Sequence, residues 1–185
     1  MIHYGILNQS VAFYEGRGFK RVEAPWTVTK QVSGITRPPG KLDFELVHED
    51  GKVLVASGEQ SFLYMYLKGF LPKGMFQTIT PCFRHDTFDL QHTKYFIKNE
   101  LIKTDSTTPA DLEHVIAAAK QFFESYFPSV DIVATGENQY DIAYRGVELG
   151  SYGIRHCDFL TWIYGTGVAE PRTSSTLQTY GLPQP

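Results

Sequence analysis

Strand-like segments in this sequence come in runs joined by tight turns, and that ordering constrains the fold more than any other feature. Met75 to Phe83 and Lys94 to Ile102 predict two strands around a polar loop. Gln139 to Tyr144 and Val147 to Ser151 meet at Arg145-Gly146, and Leu42 to Val47 and Val53 to Ala56 flank Asp50-Gly51. Such dipeptides suit hairpin turns. Val130 to Ala134 adds another strand, and Phe19 to Ala24 alternates apolar with charged residues until Pro25 stops it. Parallel sheets need long crossovers, usually helical, and strict strand–helix alternation is absent here. The expected architecture is therefore α+β, an antiparallel β-sheet flanked by helices.

The clearest helix is Pro109 to Tyr126, where Leu112, Val115, Ile116, Ala119, Phe122, Phe123 and Tyr126 form one apolar stripe. Thr108 is placed to cap it, Pro109 suits the first turn, and Asp111 and Glu113 complement the helix dipole. Leu7, Val11 and Tyr14 share a helical face that Gly16 and Gly18 close. Phe62, Leu63, Tyr66 and Leu67 fit a short helix ending at Lys68-Gly69, and a weakly patterned helix runs from Pro171 to near Gly181. Thr36-Arg37-Pro38-Pro39-Gly40 is an extended, helix-breaking loop within the domain.

Composition narrows the function classes. The 185 residues fit one domain, long enough to bury a core without disulfides or metals. No apolar run approaches the ~18 residues of a membrane span, and no signal peptide is visible at the start, so a cytoplasmic location is expected. Cys82 and Cys157, without a CxxC, fit a reducing compartment and exclude a disulfide scaffold or a cysteine-built zinc site. A formal charge of −3 argues against an electrostatic nucleic-acid binder. The histidines lack His-x-x-x-His spacing, so a His-built metal site is not expected. Cys157 beside His156 is not thereby a catalytic dyad. Tyr64, Tyr66 and Phe70 are expected in the core, and His114 on a solvated helix face.

Three segments carry chemistry. In Cys82-Phe83-Arg84-His85-Asp86, followed by His92 and Phe96, Arg84 offers a fork of donors suited to a phosphate, and Phe96 an aromatic face for a base. The competing reading pairs Arg84 with Asp86 and puts Phe96 in the core. In Glu148-Leu149-Gly150-Ser151-Tyr152-Gly153-Ile154-Arg155, a strand carboxylate beside small residues suits a hard cation such as magnesium, or is a solvent-facing edge residue. In Gly165-Thr166-Gly167-Val168-Ala169-Glu170-Pro171-Arg172, alternating small residues permit close backbone approach to a ligand, and Arg172 falls at a helix start. This is neither a dinucleotide fingerprint nor a P-loop.

Taken together, these segments resemble the signature motifs of the class II aminoacyl-tRNA synthetase catalytic core. Gly18 to Trp26 resembles motif 1. Arg84-His85-Asp86 with His92 and Phe96 resembles motif 2, with Asp86 in place of the usual Glu. Gly165-x-Gly167-x-Ala169-x-x-Arg172 resembles motif 3, with Pro171 where an acidic or small residue is more usual. Ala56-Ser57-Gly58-Glu59-Gln60 resembles the loop that binds the α-amino group in seryl- and prolyl-type members, with Ser57 in place of Thr. Glu148 to Arg155 is also similar to aspartyl- and asparaginyl-type enzymes and to ammonia-dependent asparagine synthetase, which leaves the subgroup open.

The resemblance implies ATP and Mg2+ as cofactors and a site residue by residue. Arg84 would hold the α-phosphate of ATP and the amino-acid carboxylate, Asp86 would lie near the adenine amino group, and His92 would reach the γ-phosphate. Phe96 would stack on adenine opposite Arg172, within the Gly167 segment. Glu148 and Glu100 would bind magnesium, Glu59 with Ser57 the α-ammonium, and Ser151 the floor of the site. The implied reaction makes aminoacyl-AMP and pyrophosphate. Arg84 and Arg172 are its catalytic groups, by positioning and charge neutralisation.

The resemblance further implies a homodimer built on motif 1. The competing function is a non-catalytic paralogue that regulates a partner. A biotin- or lipoate-type ligase shares the ancestral core but lacks this arginine pair. The motifs fill residues 1–185, so a single catalytic domain without an anticodon-binding domain is expected. The loop between Arg84 and His92 has two acids and no Lys or Arg, which disfavours tRNA as a partner.

Overall fold

A computed structural model describes residues 1–45, 51–84 and 95–183. The elements run α1 (Tyr4–Glu15), β1 (Lys20–Arg21), β2 (Thr27–Thr29), α2 (Lys30–Thr36), β3 (Phe44–Glu45), β4 (Lys52–Leu54) and α3 (Gly58–Leu67). They continue with β5 (Met75–Phe83), β6 (Tyr95–Lys103), α4 (Pro109–Glu124), β7 (Asp131–Gly136), β8 (Gln139–Tyr144), β9 (Val147–Cys157), β10 (Leu160–Glu170) and α5 (Arg172–Thr179). Among the described residues, a seven-stranded sheet has the order β1-β5-β6-β10-β9-β8-β7, and a three-stranded sheet has the order β2-β4-β3. Every pairing is antiparallel except β1 with β5. The α+β expectation holds.

Strand periodicity sends alternate residues to opposite faces, and each face of the large sheet is covered differently. Leu101, Leu149, Tyr152, Ile163 and Val168 pack with Ile6, Leu7 and Tyr14 of α1, the apolar stripe of α4, and Leu177 of α5. Phe76, Ile102, Trp162 and Tyr164 pack on the other side with Val28, Val32, Val53, Phe62 and Leu63 from the small sheet, α2 and α3. Burying each large side chain contributes roughly 1.5–3 kcal/mol.

Helix α4 starts where the sequence predicts. The Thr108 side chain accepts from Asp111 N while Asp111 accepts from Thr108 N, a reciprocal capping box. Helix α1 closes at Gly16, and α3 closes at Lys68. Several elements depart from expectation, among them β2, which no predicted strand covers. The predicted strand Phe19–Ala24 shortens to Lys20–Arg21, with Phe19 and Ala24 buried outside it. Helix α2 was not predicted; only Val32 and Ser33 of its residues are buried, so it carries no stripe. Strand β9 runs past Ser151 to Cys157, and β10 spans a segment to which the sequence assigned no strand and whose small residues suggested close approach to a ligand.

Those glycines have a packing cause. Thr166 pairs with Glu100 and Val168 with Asn99, so Gly167 is the extra residue of a bulge. A Cβ there would sit 3.0 Å from Asn99 and from the Tyr14 ring. The close approach is to helix α1, on the face opposite the cleft described below.

Candidate functional site

The face of the sheet not covered by α1, α4 and α5 continues beyond α3 into a cleft of about 320 Å³. Its floor comes from β6 and β10, where period two aligns Phe96, Lys98 and Glu100 on one face. Their sheet neighbours Ile97 and Leu101 face the helix-covered core instead.

Bulges bring further residues in. The β10 bulge at Gly167 changes strand parity, so that Thr166 and Ala169 both line the cleft. A second irregularity, where Ile142 pairs with Gly150 and Ala143 with Glu148, does the same for Glu148 and Ser151 on β9. Bulges re-aim side chains in this way beside functional sites.

The cleft rim is built at the end of β5. Phe83 N donates to Val55 O at 2.8 Å, which docks the segment before α3 onto the strand. Arg84 Nε donates to Ala56 O at 3.1 Å, and its guanidinium carbon lies 5.0 Å from the Phe96 ring centroid. Gly58 lets the α3 N-terminus seat on the floor, since a Cβ there would meet Glu100 Cβ at 2.9 Å and Thr80 Oγ1 at 3.0 Å. Ser57 is the N-cap of α3, without a side-chain capping bond.

Charge is organised in pairs. Arg172 Nη1 donates to Glu148 Oε1 at 2.7 Å. Lys98 Nζ lies 3.1 Å from Glu100 Oε1, with both side chains largely buried. Glu100 Oε2 is buried without a hydrogen-bond partner among the described residues. Glu59 accepts from Trp162 Nε1 at 2.6 Å through Oε1 and from Arg155 through Oε2. Burial pushes the Glu59 carboxyl up, and the Arg155 guanidinium opposes that. Ser151 N donates to Thr166 Oγ1 at 3.3 Å. Burial raises the Asp141 carboxyl.

The described lining holds six cationic side chains (Arg37, Lys41, Arg84, Lys98, Arg155, Arg172) and four carboxylates (Asp43, Glu59, Glu100, Glu148). A chain of net charge −3 thus presents a cationic cleft. Such a cavity, with convergent polar groups, suits an anionic ligand of nucleotide size.

Of the residues singled out from sequence, Arg84, Phe96, Arg172, Glu148, Glu100, Ser151, Ser57 and Glu59 line this one cleft. Gly167 does not; it packs on Tyr14, whose hydroxyl donates to Gly167 O at 3.2 Å. Asp86 and His92 lie outside the described residues. Cys82 is buried beneath the cleft, and burial pushes its thiol up to about 12, so it is no nucleophile at neutral pH.

Sequence reasoning missed Lys98, Arg155 and Trp162. Lys98 was readable, because it lies two residues from both Phe96 and Glu100 on one strand face. Arg155 and Trp162 needed the full lengths of β9 and β10.

No protein-family model and no curated protein matches the chain. Solved structures do. A pyrrolysyl-tRNA synthetase of Desulfitobacterium hafniense aligns at TM-score 0.75 and 15% identity, over 96% of this chain and 67% of that one. The cytoplasmic serine-tRNA ligase of Naegleria fowleri, in complex with AMP, aligns at TM-score 0.69 and 17% identity, over 92% of this chain and 46% of that one. The seryl-tRNA synthetase of Pyrococcus horikoshii, complexed with ATP, aligns at 0.65 and 17%, over 91% of this chain and 48% of that one. The chain therefore has the fold of a class II synthetase catalytic core, and it spans a little under half of these seryl enzymes' length.

Proposed function

We propose that this class II synthetase-like core activates an amino acid with ATP, giving aminoacyl-AMP and pyrophosphate. The observation that carries the reading is the convergence of Arg84, Phe96 and Arg172, from the end of β5, β6 and the start of α5, on one cationic cleft. The likeness to seryl enzymes bound to AMP and ATP supports a nucleotide as the ligand.

The residues' parts follow from their chemistry. The Phe96 ring supplies a stacking face for adenine, and Arg84 beside it meets the α-phosphate and the amino-acid carboxylate. Arg172 is held by Glu148 in the free protein and turns to phosphate oxygens when ATP enters. The carboxylate nucleophile is already ionised, so no side-chain base is needed. Alignment of two anions and neutralisation of their repulsion are what the two guanidinium groups contribute. Asp86 and His92 are assigned to the adenine amino group and the γ-phosphate by motif position alone.

Magnesium fits this donor set, since it takes one or two carboxylates plus phosphate oxygens. Glu148 and Glu100 would hold it, and Glu100 Oε2 is a buried oxygen in need of a partner. When bound, the cation neutralises phosphate charge.

The test is ATP–pyrophosphate exchange screened over the twenty amino acids. Exchange with one amino acid or a narrow set is expected. Measurable ATP binding with no exchange would replace this reading with the non-catalytic paralogue.

The motif 1 segment is proposed to form a homodimer, and a monomer by light scattering at micromolar concentration would contradict that. Weak tRNA binding at physiological salt is expected from the acidic loop after Arg84. A location in the cytoplasm is proposed as well; no described helix is long and apolar enough to cross a membrane.

A further inference from the structure

Two buried tyrosines meet at the bulge of β10, on the helix-covered side of the sheet. Tyr152 Oη, from β9, donates to Thr166 O at 2.6 Å. Tyr14 Oη, from α1, donates to Gly167 O at 3.2 Å. Burial pushes both phenols further above their ordinary value of about 10, so each hydroxyl keeps its proton and donates.

Three glycines make room for the two rings. A Cβ at Gly150 would lie 2.7 Å from Tyr152 Oη, one at Gly165 2.9 Å from Tyr152 Cδ1, and one at Gly167 3.0 Å from Tyr14 Cε2. The small residues of β9 and β10 thus admit tyrosines to the bulge.

The bulge sits where the sheet holds β10 least. A bulge leaves its extra residue outside the ladder, and the backbone pairing of β10 with β9 ends at Gly165–Tyr152, just before it. Thr166 and Ala169, on either side of the bulge, line the cleft, and the chain then enters α5 at Arg172.

We infer that Tyr14 and Tyr152 are positioning residues for the cleft, whose hydroxyls lock the β10 bulge in the register that presents Thr166, Ala169 and Arg172 to the ligand. This rests on the activation reading above. Neither tyrosine lines the cleft, and each acts through a backbone carbonyl. A one-residue slip of a strand turns its side chains to the other face, and reaction rate depends steeply on alignment.

The test uses Tyr14→Phe, Tyr152→Phe and the double variant, which keep both rings and remove the hydroxyls. Phe123→Leu, in the same core on α4, is the destabilised control. In the double variant, hydrogen–deuterium exchange read by mass spectrometry is expected to quicken roughly tenfold or more over residues 164–172 and to stay unchanged in α4. The kcat of pyrophosphate exchange is expected to fall roughly 10–10²-fold. Because the bulge is loosened and not displaced, the KM for ATP should change by about threefold or less. Phe123→Leu should lower the melting temperature and leave kcat unchanged. The single variants carry the same readings where the double variant does not fold.

Unchanged hydrogen exchange over 164–172, or a kcat that falls no further than in Phe123→Leu, would overturn the inference. Wild type that supports no pyrophosphate exchange removes the activation reading, and hydrogen exchange over 164–172 then decides the inference by itself.

Discussion

The two faces of the large sheet use the same strands for opposite ends. Along β6, Ile97 and Leu101 join the core under α1 and α4, while Phe96, Lys98 and Glu100 line a charged cleft. The covered face is apolar, aromatic and tightly packed. The cleft face keeps carboxylates and guanidinium groups in pairs that a ligand can enter. Around the cleft, packing lies on one face and chemistry on the other, with a second core of Phe76, Ile102 and Trp162 further along the cleft side. Substitutions under α4 and in the cleft are therefore expected to separate in their effects.

The largest expected effect on stability lies in the core. Phe122 is 2% exposed and meets Phe13, Tyr14, Phe123 and Tyr126 edge-on or tilted. Phe122→Ala is expected to cost about 3–5 kcal/mol by denaturant unfolding. ATP affinity of the folded protein should be unchanged, and a selective loss of ATP binding would break the division.

Gly167 tests the boundary between faces. Gly167→Ala forces a Cβ against Asn99 and Tyr14, with an expected cost of about 1–3 kcal/mol. Because the same bulge sets the parity of Thr166 and Ala169, ATP affinity is expected to fall only if the bulge shifts. Full stability with lost ATP binding would place Gly167 in the site after all.

A smaller effect belongs to the α4 cap. Hydrogen bonds from Ser106 and Thr108 hold the Asp111 carboxyl well below the usual range. A depressed carboxyl contributes stability that is full above its unfolded value, roughly 3.9, and is lost as pH falls through the folded one. Thermal melts of wild type and Asp111→Asn should therefore differ at neutral pH and converge towards pH ~2, below the unfolded value. A difference independent of pH would assign the effect to geometry instead of charge.

Much of this was legible in the sequence, and the gaps have physical reasons. Hairpin turns and the α4 stripe with its Thr108 cap gave the architecture, and the motif resemblance gave Arg84, Phe96, Glu148 and Arg172 of the cleft. Helix α2 was hidden because a short helix under a small sheet needs only Val32 and Ser33 buried. The glycines of β10 misled because small residues look alike whether they admit a ligand or a tyrosine ring. Bulges at Gly167 and near Glu148 break strict alternation, so no periodicity argument places Ser151, Ala169 and Glu148 on one face. The Glu59–Arg155–Trp162 cluster joins α3, β9 and β10, and only the fold brings it together.

The most direct test of the central claim is ATP–pyrophosphate exchange in wild type and Arg84→Ala, with circular dichroism and melting on the same samples. Arg84 sits at the cleft rim with a single described hydrogen bond, to Ala56 O, so its loss should change stability by about 1 kcal/mol or less. Exchange with the preferred amino acid is expected to fall by roughly 10²–10³-fold. A folded Arg84→Ala protein with undiminished exchange would contradict the account.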